Sequence, residues 1–224
     1  MINNILRLYF IMGSMNTKQN DPIEVLELAL QGGITCFQFR EKGVASKQGQ
    51  EKFLFAEKCM KLCRTYKVPF IVNDDVDLAL ALNADGVHIG QDDEIASQVR
   101  EKIGKDKILG VSVHNVEEAF LAQKAGADYV GIGPVYATSS KEDARTPAGT
   151  KVMEQVAFQY PYLPIVGIGG LTKENLAPVF KAGGAGVALI SAIASAENPQ
   201  HQAKQLRAKI DRILERESPL SEHP

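Results

Sequence analysis

Eight short apolar runs, each set off by a longer stretch with helical spacing, constrain this chain more than anything else in it. The runs are "LRLYFIM", "ITCFQFR", "VPFIVN", "GVHIG", "KILGVSV", "YVGIGPV", "LPIVGIGG" and "GVALISAI". They are continuously apolar rather than alternating, so they read as strands covered on both faces. Between them lie "PIEVLELALQGG", "KQGQEKFLFAEKCMKLCRTYK", "DVDLALALNA", "DEIASQVREKIG", "NVEEAFLAQKAGA", "KVMEQVAFQY" and "TKENLAPVFKAGG". These connectors carry apolar residues at helical intervals, and several end in glycine, as helix C-termini do. A last helix is expected over roughly 200–215. Eight such units in 224 residues predict an α/β chain folded as one (β/α)8 barrel over residues 1–224, with a frayed tail at about 216–224. A dinucleotide-binding sheet needs fewer strands, and no GxGxxG follows the first run. The segments "NADGVHIG", "GADYVGIG" and "GAGVALI" echo one another, which predicts comparable barrel positions for strands four, six and eight.

The net charge of -2, without a concentrated basic run, argues against a nucleic-acid partner. Phosphate binding must therefore come from a local site. Cys36, Cys59 and Cys63 form no C-x-x-C pair. An odd number of core-like cysteines suggests reduced thiols and a cytoplasmic setting. Cys59 and Cys63, four apart, read as one buried helix face. The opening "MINNILRLYFIMGS" is broken by Arg7 and has no small-residue cleavage site, so it reads as a first strand and not a signal peptide. No stretch is long enough to span a membrane.

Barrel chemistry sits where strands end and the following loops begin. Gln38 and Arg40, two apart on strand two, point the same way, and Lys42 follows just past the strand end. An inward arginine needs an anion to pair with. Asn73, Asp74 and Asp75 end strand three, while Asp92 and Asp93 follow strand four. Neighbouring carboxylates without a histidine or cysteine cluster suit Mg²⁺, which is held by one or two carboxylates plus substrate phosphates. Asp75 and Asp92 also precede helices, where acids serve as caps. Gly169 and Gly170 after strand seven, and "ISAI" after strand eight, offer backbone N–H groups to a phosphate. The long polar loop "YATSSKEDARTPAG", with Thr138, Ser139, Ser140 and Lys141, lies between the two sides and is placed to contact two anionic groups at once. Of four histidines, His88 reads as a core residue on its strand, and His114 is within reach of the rim. No Ser–His or Cys–His pair suggests a covalent nucleophile. Two anion sites beside a magnesium site suggest the joining of two phosphorylated molecules with loss of diphosphate.

The ordered set "QFREK", "VNDD", "ADGVHIGQDD", "GVSVH", "GADYVGIGPVYATSSKEDA", "VGIGG" and "GVALISAI" resembles the thiamine-phosphate synthase family, over about residues 8–193. The resemblance implies a (β/α)8 barrel, commonly a homodimer, that condenses hydroxymethylpyrimidine diphosphate with thiazole phosphate to thiamine phosphate and diphosphate. It implies that Gln38, Phe39, Arg40, Glu41, Lys42, Asn73, Ser112 and Lys141 hold the pyrimidine diphosphate, with Arg40, Lys42, Ser112 and Lys141 serving catalysis. Asp74 and Asp93 are the implied Mg²⁺ ligands. Thr138, Ser139, Ser140, Gly170, Ile190 and Ser191 are the implied thiazole phosphate contacts. Ser140 stands where the family often has threonine, and keeps the hydroxyl. "LYFIMGS" stands where many members have a threonine–aspartate pair. Rival readings on the same barrel are a thiazole tautomerase, for which His114 is the residue to watch, a sugar-phosphate epimerase, and a silent barrel that binds thiamine precursors. The complete "QFREK" with Asp74, Asp93 and Lys141 favours the synthase.

Overall fold

The computed structural model describes residues 2–17, 20–140 and 146–217. Eight parallel strands close into a barrel in chain order. They are β1 (Leu8–Met12), β2 (Cys36–Phe39), β3 (Phe70–Asn73), β4 (Gly86–Ile89), β5 (Ile108–Val113), β6 (Tyr129–Ile132), β7 (Ile165–Ile168) and β8 (Gly186–Leu189). The helices are α1 (Ile2–Leu6), α2 (Pro22–Gln31), α3 (Gly49–Thr65), α4 (Val76–Leu82), α5 (Ala96–Ile103), α6 (Val116–Lys124), α7 (Lys151–Gln159), α8 (Ala177–Lys181), α9 (Ser191–Ala194) and α10 (Pro199–Glu217). The expected barrel and all eight strands are present.

Local chemistry explains the helix limits. Asp21 caps α2 by accepting the Ile23 N–H at 2.9 Å, with Pro22 in the first turn. Asn115 caps α6 through the Glu118 N–H at 2.8 Å. Cys59 and Cys63 lie buried on α3, and all three thiols are free. Burial raises their pKa values, which leaves them unreactive.

Outward-facing residues of the first three strands meet the helical layer through Phe10, Phe37 and Phe70, with ring centroids 5.8 and 6.0 Å apart. Burying each such ring stabilises the fold by roughly 1.5–3 kcal/mol. The barrel interior is a second cluster, built from Leu6, Tyr9, Ile11, Cys36, Ile71, Tyr129, Val166, Ala188 and Ile190. His88, Gly131 and Ala188 hold equivalent places on β4, β6 and β8, which accounts for the echoed segments.

Two expectations need correction. The opening run is not one strand: residues 2–6 form α1, because Ile2, Ile5 and Leu6 share one helical face and pack into the barrel interior. The segment after β7 is mostly a turn, in which Asn175 accepts the Thr172 N–H at 2.7 Å, and only five residues of it form α8. The last helix runs through Glu217, and the rest of the tail expected to fray, residues 218–224, lies outside the described part. Among the described residues, no helix is long and apolar enough to cross a membrane.

Candidate active site

A cavity of about 550 Å³ opens at the C-terminal ends of the strands. Of the residues expected on the rim, Lys42, Asp93, Ser112, Thr138, Ser139, Ser140, Gly169, Gly170, Ile190 and Ser191 line it. His114, left open by the sequence, lines it too. Its Nδ1 stands 3.0 Å from Glu118 Oε2, one turn along the chain. Lys141 lies outside the described residues.

One side of the cavity is charged, with Lys42 and Asp93 on the wall and Asp74, which is not on the wall, in contact with both. Asp74, at φ 63°, takes a left-handed conformation directly after β3. Strain of that kind in a residue with a side chain collects at functional sites. Its Oδ2 is fully buried and meets no hydrogen-bond donor in good geometry, while the Lys42 ammonium presses against it. Burial raises the pKa of the Asp74 carboxyl. Lys42 pulls it back down, and the Asp93 carboxyl beside it pushes it up again. Asp93 is itself fixed by the Gly90 N–H at 2.7 Å. A buried carboxylate oxygen lacking a proper donor, with a second carboxylate alongside, fits a hard cation that prefers oxygen. Among the described residues, no cluster of three or more His, Cys, Asp or Glu is arranged for a metal. The carboxylates that stand side by side here are those of Asp74 and Asp93.

Among the described residues, the other side is lined by hydroxyls, glycine backbone and apolar groups. Ser140 Oγ and Ser191 Oγ lie 3.0 Å apart, one from the loop after β6 and one at the start of α9. The Thr138 hydroxyl accepts the Ser140 N–H at 3.2 Å and shapes that turn. Gly170, at φ 61°, packs so tightly that a Cβ would overlap the Ala137 carbonyl and stand 2.8 Å from Tyr136 Cβ. The glycine pair after β7 thus brings two loops together. Ile190 contributes an apolar wall that continues into the barrel interior.

The remaining expected residues do not line the cavity. Gln38 is 1% exposed inside the barrel and gives its amide N–H to Tyr9 Oη at 3.0 Å. Arg40 is half-buried just past β2, less enclosed than an inward arginine, and is engaged in an interaction. Asn73 ends β3 beside His88. Phe39 faces the other way, packing on Phe55 and Phe70 at 5.3 and 6.1 Å between centroids. Its side chain serves the core. Glu41 is also committed elsewhere: it accepts the Ser14 N–H and the Lys47 N–H, both at 2.8 Å, and the Ser14 hydroxyl. It ties the loop after β1 to the loop after β2 and so holds Arg40 and Lys42 in place. That gives the unusual "GS" of strand one a structural task.

Asp75 is a cap, accepting the Leu78 N–H at 3.0 Å and pairing with Lys52 at 2.6 Å. Burial raises its carboxyl pKa, but Lys52 and the Leu78 N–H outweigh that and hold it below the ordinary value. Asp92 caps nothing, since α5 begins four residues later behind Ile95; it lines the cavity instead. Sequence reasoning missed Gln91, whose amide donates to the Ser112 carbonyl at 2.7 Å, and Thr172, also on the wall. It also missed Tyr9 and Tyr129, whose hydroxyls meet at 2.8 Å under the cavity. A lone polar atom at the end of an aromatic ring leaves no mark on an apolar run.

A parallel barrel with a charged recess and a hydroxyl-lined recess in one cavity, at the C-terminal ends of its strands, has the layout of a (β/α)8 enzyme. The comparisons are specific. Residues 8–193 match the family model described as thiamine monophosphate synthase. A thiamine-phosphate synthase of Bacillus velezensis is 54% identical over 212 residues, 95% of this chain and 94% of the relative. One from Geobacillus thermodenitrificans is 56% identical over 206 residues, 92% of each chain. The solved thiamine phosphate pyrophosphorylase from Pyrococcus furiosus superposes with a TM-score of 0.84 at 34% identity, covering 96% of this chain and all 100% of that one. The chain belongs to the thiamine monophosphate synthase family.

Proposed function

We infer that this chain is a transferase that joins hydroxymethylpyrimidine diphosphate to thiazole phosphate, giving thiamine phosphate and diphosphate. The observation that carries this reading is the division of one cavity between the Lys42–Asp74–Asp93 cluster and the Ser140–Ser191 hydroxyl pair. The relatives' shared name supports it. Asp74 and Asp93 would hold Mg²⁺, which when bound neutralises charge on the diphosphate. Arg40, Lys42 and Lys141 would stabilise the negative charge growing on the departing diphosphate. The aminopyrimidine stabilises the benzylic-type cation left behind, so the bond to diphosphate breaks before, or nearly before, the new one forms. Ser112 anchors the pyrimidine side. Thr138, Ser139, Ser140, Ser191 and the Gly170 backbone hold the thiazole phosphate so that the ring nitrogen meets the cationic carbon. That nitrogen attacks with a neutral lone pair, so no strong general base is needed.

The test is product formation by the purified protein from both phosphorylated precursors. Thiamine phosphate and diphosphate in equal amounts support the reading. Folded protein that makes neither overturns it.

A further inference from the structure

Beneath the cavity, five polar side chains form one continuous line through the barrel interior. Gln38 Nε2 donates to Tyr9 Oη at 3.0 Å, and Tyr9 Oη meets Tyr129 Oη at 2.8 Å. Tyr129 Oη lies 2.9 Å from His88 Nδ1, and His88 Nε2 lies 2.9 Å from Ser112 Oγ. The line starts on β2, crosses to β1, β6 and β4, and ends on β5 at a residue of the cavity wall. The space for it is reserved by Gly110: a Cβ there would overlap the Tyr129 ring and lie 2.5 Å from His88 Nδ1.

Proton counting gives the line a direction. The amide nitrogen of Gln38 can only donate, so Tyr9 Oη accepts at that end. If Tyr9 then donates to Tyr129, Tyr129 donates to His88 Nδ1, and His88 carries its proton on Nε2 and donates to Ser112 Oγ. Every buried proton has an oxygen or nitrogen acceptor. In the opposite direction the Tyr9 proton is left with only the Cys36 sulfur, a weak acceptor, which is a costly arrangement for a fully buried hydroxyl. Both phenols stay protonated, because burial raises their pKa values well above normal.

We propose that Tyr9 and Tyr129 are positioning residues: through this one-way line they fix the Gln38 amide and the Nε2–H tautomer of His88, so that Ser112 Oγ accepts from below and turns its own proton into the cavity. The cavity floor is thereby set to present a hydroxyl donor to an acceptor atom of the bound substrate. The kinetic part of this inference rests on the proposed function, in which Ser112 anchors the pyrimidine diphosphate. The tautomer part does not.

The two tyrosines make different predictions. Tyr129→Phe cuts the line next to His88, whereas Tyr9→Phe leaves the Tyr129–His88 bond intact and removes the bonds upstream of it, from Gln38 and to Tyr129. The experiment is nitrogen–proton correlation spectroscopy on protein with ¹⁵N-labelled histidine, His88 being assigned by its loss in His88→Gln, alongside steady-state kinetics. The expected result is a single Nε2–H tautomer for His88 in the wild type and in Tyr9→Phe, and a mixed or Nδ1–H population in Tyr129→Phe. Loss of one such bond should raise the KM for the pyrimidine diphosphate about ten-fold in Tyr129→Phe, with the KM for thiazole phosphate within about two-fold of wild type. An Nδ1–H His88 in the wild type overturns the direction and the proposal with it. An unchanged tautomer in Tyr129→Phe, or a changed tautomer with an unchanged KM, overturns the positioning role. If the wild type makes no thiamine phosphate, the functional reading fails while the tautomer measurement still decides the line.

Discussion

The two halves of the cavity solve different electrostatic problems. The β2–β4 half is lined by Lys42 and Asp93, with Asp74 against them and one of its carboxylate oxygens buried against the Lys42 ammonium. The β6–β8 half offers Ser140, Ser191 and glycine backbone, with no charged side chain of those loops among its described lining residues. Under the proposed function, the contrast matches what each half would do. A diphosphate that departs gains charge as the bond breaks, so groups stabilising it act on the transition state. A phosphate monoester that stays attached is only held, and neutral hydrogen bonds suffice for that. Charge on the first half should therefore govern turnover, and hydroxyls on the second half should govern affinity.

The contrast can be broken at several points. The largest effect is expected from Lys141→Ala. One preorganised charge contact is worth about 3 kcal/mol, so turnover should fall on the order of 100-fold while the melting temperature stays put. A matching loss of stability in a thermal melt would remove Lys141 from the proposed catalytic set. Next comes Asp93→Asn, which should raise the Mg²⁺ concentration needed for half-maximal turnover by at least about ten-fold, read from an Mg²⁺ titration of rate. An unshifted titration would take Asp93 out of the metal set. Ser140→Ala and Ser191→Ala should each raise the KM for thiazole phosphate about five-fold and leave kcat nearly unchanged, since each removes about 1 kcal/mol of binding. A fall in kcat with an unchanged KM would erase the division between the halves.

The smallest effect is on stability alone. Asp75→Ala removes a helix cap and should cost about 1 kcal/mol in denaturant unfolding, with activity retained. Because its carboxyl pKa is depressed in the fold, the Asp75 contribution is present above the unfolded carboxyl pKa. It is lost as pH falls through the lower folded value. The gap between wild type and Asp75→Ala should therefore close in acid. A gap that persists there would mean that the cap, and not the ion pair, carries the difference.

How much of this was legible follows the physics of each signal. Continuous apolar runs between helical patterns made the barrel readable, because that pattern reports burial on both faces of a strand. Strand ends made Lys42, Asp93, Ser112, Ser140 and Ser191 readable, because topology alone brings them to one rim. Phe39 and Glu41 were placed with their neighbours although one faces the helices and the other braces two loops. A strand's alternation separates Phe39 from Gln38, but a carboxylate that reaches Ser14 is visible only in three dimensions. The α1 helix was available in the spacing of Ile2, Ile5 and Leu6 and was hidden by the apolar strand that follows. The buried line through Tyr9, Tyr129 and His88 had no local signal, since each member sits in an ordinary strand and only barrel closure joins them.

The most direct test of the division is one paired measurement: turnover to thiamine phosphate with and without Mg²⁺, set beside the affinity for thiazole phosphate under the same two conditions. The account predicts that removing Mg²⁺ abolishes turnover and leaves thiazole phosphate binding unchanged. Turnover that survives chelation, or thiazole phosphate binding that vanishes with the metal, would contradict it.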